Sequence, residues 1–189
     1  MKTDTYHHYS LPPADKVALA KLRHLYWPDV ADQSEDESLR RYLEQEIIVV
    51  MRDKNGELAG SLKIPTSSVM IDDQHYQISG LSEVMIAPQY LHKGFGTSLI
   101  LTAFDLIQHD DADFSIFTCP PDLVPFYELG GWKSSPQTRL IGGTNSEPIA
   151  SDKVGTVAMT SYFTPIAMDH EQQIADSTIA LNVGSHIMW

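Results

Sequence analysis

The chain has one cysteine, Cys119, among 189 residues. A single thiol can neither staple a fold nor build a zinc site alone, so the core must be an ordinary hydrophobic one, and the reading is a reducing, cytoplasmic compartment. Cys119 lies in an apolar run ahead of Pro120-Pro121 and is read as structural rather than nucleophilic. Positive charge is also scarce, with 13 Lys+Arg against 25 Asp+Glu and a formal net charge of −12. That field opposes phosphate backbones and anionic membranes, so neither nucleic acid nor membrane is an expected partner, whereas a cationic small molecule would be attracted. No apolar run approaches the roughly 18 residues of a membrane span, and residues 1–10 are polar rather than signal-like. The eight histidines are scattered, with neither His-Glu-x-x-His nor paired cysteines, so no metal is expected.

What is present is ordinary globular material, 42% hydrophobic and 20% charged, at a length suited to one domain over residues 1–189. Order is expected beyond the first dozen residues. Pro12-Pro13 followed by Val17, Leu19, Leu22, Leu25 and Tyr26 predicts an amphipathic helix ending near Trp27-Pro28. An acidic loop and a short helix around 38–44 follow. Strands are expected at 47–51, 58–64, 67–71 and 75–86, joined as an antiparallel meander by turns at 53–56 and 72–73. A helix with Leu99, Ile100, Ala103, Phe104 and Ile107 on one face, a strand at 114–119 and a helix at 123–129 closed by Gly130-Gly131 come next. From Trp132 onward the chain reads as strands, at 138–141, 155–162 and 179–183. The fold class is therefore α/β (α+β), a central mixed, largely antiparallel sheet flanked by helices.

The most informative stretch is Val84-Met85-Ile86-Ala87-Pro88-Gln89-Tyr90-Leu91-His92-Lys93-Gly94-Phe95-Gly96-Thr97-Ser98-Leu99. It reads as a strand, a proline turn, a glycine loop and a helix start. Glycines there let consecutive N–H groups converge on an anion, and a helix N-terminus adds unpaired donors, so a pyrophosphate fits, with Lys93 as an added cation. Leu99 stands where a Rossmann fingerprint has its third glycine, and no Gly-Lys-Ser/Thr triplet occurs, so both familiar phosphate loops are excluded. On two glycines alone, a simple tight turn is the competing reading.

This stretch resembles the acetyl-CoA loop of the GNAT acetyltransferase superfamily, Gln/Arg-x-x-Gly-x-Gly/Ala, with Leu91 in place of the leading Gln/Arg. The segment Asp122-Leu123-Val124-Pro125-Phe126-Tyr127-Glu128-Leu129-Gly130-Gly131-Trp132 is similar to the later helix of that superfamily. The resemblance implies a GNAT fold and acetyl-CoA bound along Val84, Met85 and Ile86, on the loop His92, Lys93, Gly94, Phe95, Gly96 and Thr97, and beside Thr118. It also points to a homodimer.

Acetylating an amine requires removing a proton, since an alkylammonium of pKa about 10 has no lone pair. Glu83, just before the loop, is the carboxylate best placed for this, through water, and a bulge would aim it at the cleft. Tyr127 can protonate the leaving thiolate. Spacing alone leaves a solvent-facing Glu83 and a core Tyr127 open; the resemblance assigns them as base and acid. A narrower resemblance, to the aminoglycoside 2′-N-acetyltransferases, rests on Gly80-Leu81-Ser82-Glu83-Val84, Phe126-Tyr127, Gly131-Trp132, Gly155-Thr156-Val157 and Trp189. It implies that Asp32, Glu35, Asp36 and Trp189 hold a cationic sugar, although the tail lacks the acidic side chain of that family. The alternatives are a GNAT enzyme for a polyamine, amino acid or peptide N-terminus, or a non-catalytic acyl-CoA-binding module.

Overall fold

The computed structural model describes residues 1–29, 43–143, 148–181 and 189. In chain order the strands are β1 Lys2–His7, β2 Ile47–Arg52, β3 Leu58–Ile64, β4 Thr66–Ile71, β5 Gln74–Ser79, β6 Ser82–Ile86, β7 Phe114–Cys119, β8 Lys133–Ser135, β9 Arg139–Gly143, β10 Pro148–Ala150, β11 Val157–Tyr162 and β12 Thr178–Ala180. The helices are α1 Pro13–Tyr26, α2 Phe95–Gln108, α3 Val124–Glu128, α4 Pro165–Asp169 and α5 Glu171–Ala175. Among the described residues three sheets result, ordered β1-β2-β3-β6, β4-β5-β7-β11-β8 and β10-β9-β12. Pairing is antiparallel except for β5 with β7 and β12 with β9, so the expected class holds.

The first two sheets share one long bent hairpin. Asp72 and Asp73, at φ 45 and 66, make a two-residue turn of the kind that matches strand twist, and Ile71 faces Gln74 across it. Its outer half, β4 with β5, belongs to the five-stranded sheet. Its inner half, β3 with β6, belongs to the four-stranded one. The bend falls at Pro65 and Gly80, where Gly80 N donates to Pro65 O at 3.0 Å. The run expected as one strand over 75–86 is thus two strands in two sheets. The reason is steric: an ideal Cβ on Gly80 would lie 2.4 Å from Ile116 O and 2.6 Å from the Trp189 ring.

α2 buries Leu99, Ile100, Ala103 and Ile107, as its spacing predicts, while Phe104 packs edge-on against Trp132 at 5.0 Å. α1 also forms as expected, with Pro13 in its first turn, but Leu22 is its buried apolar anchor. Val17 and Leu25, assigned to the same stripe, are 57% and 64% exposed. Both lie off the face that Leu22 presents to Met85 and Ala87.

Three other expectations need correction. The polar N-terminus forms β1, an edge strand paired along its length with β2; the charges that hid it are those that keep an edge from pairing further. The C-terminal part is not all strand, because α4 and α5 follow β11. Each is a single turn, too short to show a period. The last expected strand is interrupted early, since β12 ends at Ala180 and Leu181 is outside it, while residues 182–183 lie outside the described residues. The helix expected at 38–44 lies mostly outside the described residues.

If the bend depends on the missing side chain of Gly80, Gly80→Ala should lower stability by about 2–3 kcal/mol, within the range for overpacking. Gly56→Ala is the control. It has nothing within 4 Å of its Cβ but carries φ +84, and should cost about 1 kcal/mol. Urea midpoints of the two variants check this.

Candidate active site

β5 and β7 pair only at Ile78↔Phe114 and Ser79↔Ser115. Beyond those two rungs β6 follows β3 and β7 follows β11, so the strands diverge into a wedge. Trp189 stands at its root. Its carbonyl accepts from Thr118 N at 2.7 Å and from Thr118 Oγ1 at 2.6 Å, and its ring lies over Gly80. Thr118, expected beside the cofactor, therefore directs both donors at Trp189. Trp189, expected at the acceptor, is buried. Asp32, Glu35 and Asp36 lie outside the described residues.

Glu83 occupies a bulge on one arm of the wedge. The register of β3 against β6 shifts between Ser61 and Lys63, and Glu83 takes φ 47, a left-handed conformation uncommon for a residue with a side chain. Its Oε1 accepts from Arg23 Nε at 3.0 Å, and its Oε2 lies 3.2 Å from Lys63 Nζ. Lys63 Nζ is also 3.7 Å from Oε1 of buried Glu46, which lies 2.9 Å from His8 Nδ1. Two carboxylates thus alternate with two cations and an imidazole, in a chain that runs from α1 through β6 and β3 to Glu46 before β2 and His8 after β1. The sequence reading missed Arg23, Lys63, Glu46 and His8. One signal was available, since Lys63 interrupts the apolar strand Leu58–Ile64, and a lysine in such a strand needs an anion nearby.

At the far end of the same arm lies the glycine loop. His92 and Gly94 both take left-handed backbone, φ 57 and 81, and such residues between ordinary ones turn successive N–H groups to one side as an anion nest. Ser98 N donates to Gly94 O at 3.0 Å. The amides of Phe95, Gly96 and Thr97 precede that first helical bond and emerge at the N-terminus of α2, where the helix dipole is positive. Lys93 Nζ donates to Gln89 O at 2.7 Å, which folds it over the loop. Leu91, which replaces the expected Gln/Arg, is 42% exposed; the donors here are backbone, so the substitution leaves them in place.

Gly96 has a second role. Its ideal Cβ would stand 3.2 Å from the Phe126 ring, so the missing side chain lets α3 approach the start of α2. The next residue, Tyr127, turns into the core, its ring edge-on to Phe117 at 4.9 Å and to Phe126 at 5.0 Å. Burial, and then Cys119 beside it, push the Tyr127 phenol well above its ordinary range, so it stays protonated at neutral pH. Burial also raises the Cys119 thiol to about 11, as suits an inert structural cysteine. Val84 and Ile86 pack on the main core, and Met85 joins Leu22 and Ala87. Among the described residues no group of His, Cys, Asp and Glu could hold a metal ion, and no helix is long and apolar enough to cross a membrane.

The geometry can be set beside known proteins. The family model for the acetyltransferase (GNAT) domain matches residues 11–134, about two thirds of the chain, including α1, the wedge, the glycine loop and α3. No curated protein sequence matches. Among solved structures, Escherichia coli ElaA aligns at 18% identity and TM-score 0.57, over 84% of this chain and 97% of that one. Aminoglycoside 6′-N-acetyltransferase complexed with coenzyme A aligns at 15% and 0.55, over 87% and 98%. A conserved protein of Enterococcus faecalis aligns at 13% and 0.55, over 71% of this chain and 33% of that one, so this chain spans about a third of its length. At these identities the structures show the fold alone. The family match covers the elements that form the wedge and its loop, and the chain belongs to the GNAT family of acetyltransferases, enzymes that use acetyl-CoA.

Proposed function

We propose that this protein acetylates a small, cationic amine, with Glu83 as the base and Tyr127 as the acid. The observation that carries the reading is the wedge. One of its arms holds a carboxylate on a strand bulge at one end and an anion nest at the other, and a buried, protonated phenol lies against Phe117 of the other arm. The residues fit the cofactor of the family: the nest and the α2 N-terminus suit a pyrophosphate, and β6, an edge strand among the described residues, suits an extended pantetheine arm. The cofactor supplies an acyl group on a thioester whose leaving group is a thiolate.

The chain's own residues supply the proton transfers and the orientation. Glu83 takes the amine proton through water, and its negative charge, on a strongly acidic protein, draws the ammonium in. Arg23 and Lys63 fix the carboxylate, so the relay starts from a defined geometry. Tyr127 donates to the thiolate, and its raised range means that the proton is still there at alkaline pH. Outward backbone groups of β6, at Val84 and Ile86, and N–H groups of His92 to Thr97 orient the acyl donor.

An aminoglycoside is the first acceptor to test. The acidic charge and the narrower family resemblance favour it, and one of the similar folds is an aminoglycoside enzyme. A polyamine, amino acid or peptide N-terminus satisfies the same charge argument. A screen of thiol release from acetyl-CoA against these amines decides among them. No release with any amine, from protein that binds the cofactor, would support a binding module instead.

Acetyl-CoA should raise the melting temperature, since a ligand at 100 Kd stabilises by about 2.7 kcal/mol. Gly94→Val should abolish that shift, because a β-branched residue resists the left-handed conformation that turns the amides inward. Absence of a shift in folded wild-type protein at millimolar cofactor would defeat the acyl-CoA reading.

Glu83→Gln and Tyr127→Phe should both slow turnover by about 10²- to 10⁴-fold at neutral pH, with different pH profiles of kcat/KM. Loss of the base should be partly rescued at alkaline pH, where free amine accumulates. Loss of the acid should not be, because raising the pH makes donation to the thiolate no easier. Wild-type activity of Glu83→Gln across the range would show that another group carries the proton.

A further inference from the structure

Among the described residues β6 ends the four-stranded sheet, so one of its edges has no neighbouring described strand in that sheet. In an antiparallel pair, successive residues alternately turn their backbone groups toward the partner strand and away from it. Ala87 N donates across to Ala59 O at 2.9 Å, and the preceding residue, Ile86, faces Gly60. The N–H and C=O of Ile86 therefore point to the free edge, the side on which β6 parts from β7. Both are already engaged by Tyr26, the last residue of α1. Its hydroxyl donates to Ile86 O at 2.7 Å and accepts from Ile86 N at 3.1 Å.

One hydroxyl that both donates to and accepts from the same residue does what a peptide group of an added strand would do. An extended ligand that joins a strand edge needs those same two groups. An N–H makes one good hydrogen bond, so Tyr26 and such a ligand exclude each other at Ile86. The tyrosine can yield. It is 39% exposed, its ring lies against Trp27 at 5.6 Å, and α1 is anchored one turn earlier by Leu22. Swinging the phenol into solvent would leave no hole in the core.

Resting on the acyl-CoA reading above, we propose that Tyr26 is a displaceable occupant of the cofactor's place on β6: it covers Ile86 in the free protein and leaves when the pantetheine arm adds to the strand edge. It thereby satisfies an edge that would otherwise be open to unwanted strand pairing, and it weakens cofactor binding by the hydrogen bonds that must first be broken. The contact also separates the two parts of the cofactor. Only the pantetheine arm competes with Tyr26, and the phosphoadenosine end, on the loop and α2, does not.

The test is calorimetric, on the full chain. Tyr26→Phe keeps the ring and removes the hydroxyl. It should bind coenzyme A about five- to tenfold more tightly than wild type, from two part-buried hydrogen bonds of modest net strength. Its affinity for adenosine 3′,5′-bisphosphate, which lacks pantetheine, should be unchanged. The sign is informative, since a merely structural loss would weaken binding. Hydrogen exchange gives a second readout: the Ile86 amide should exchange faster in free Tyr26→Phe than in free wild type, and equally in the two coenzyme A complexes. Unchanged or weaker coenzyme A binding by the variant overturns the proposal, as does an equal gain for the bisphosphate. If wild type binds coenzyme A and the variant binds it no better, this proposal alone fails. If neither folded protein binds it, the acyl-CoA reading fails as well.

Discussion

Gly80 lies where two sheets have to part. The strand leading to it still pairs with β7, and the strand leaving it pairs with β3. The chain can make that turn only because nothing larger than hydrogen stands between Ile116 O and the Trp189 ring. The features of the candidate site follow from this bend. If β5 had continued straight beside β7, both strands would be internal, the Ile86 backbone groups would be used in the ladder, and no edge would be left for an extended ligand. The bulge at Glu83 belongs to the same departure, since the register with β3 has to be re-established within a few residues of the bend.

The second constraint is electrostatic. Glu83 is held by Arg23 from α1 and Lys63 from β3, and Lys63 also approaches the buried Glu46. These pairs join the N-terminal helix to the wedge, so α1 belongs to the site as much as to the core. An incoming ammonium meets a carboxylate with partners on both oxygens. It can share this carboxylate through water more readily than it can displace both cations, which is why proton transfer by relay fits this geometry better than direct contact.

Much of this was legible in the sequence, for reasons that differ by element. α2 and the loop were readable because glycine positions and the spacing of Leu99, Ile100, Ala103 and Ile107 are local signals. A bulge at Glu83 was an expectation drawn from chemistry. The division of 75–86 into two strands was not readable, since Gly80 in an apolar run marks a bulge, a bend or a close contact equally well. Arg23 and Glu83 are 60 residues apart, and no periodicity reveals a pair of that separation. α4 did leave a trace: Thr164-Pro165 is a cap followed by a first-turn proline, and Thr164 Oγ1 accepts from Ala167 N.

The two substrates of the proposed reaction make opposite demands on an acidic protein. A net charge of −12 attracts a cationic acceptor and repels an anionic cofactor, so the cofactor must be held by something that the overall field does not govern. Backbone amides meet that need. Their partial charges are fixed by φ and ψ at His92 and Gly94 and by the start of α2, and they act over a few ångströms, where hydrogen bonding outweighs a field screened over a Debye length of about 8 Å. The same division accounts for Leu91 and Lys93. An arginine at position 91 would add a cation, and the nest and helix terminus need none. Lys93, bonded to Gln89 O, places its charge over the loop without being the feature that shapes it. Side-chain charge on this protein can then favour the acceptor, while the proposed cofactor site is built from the main chain.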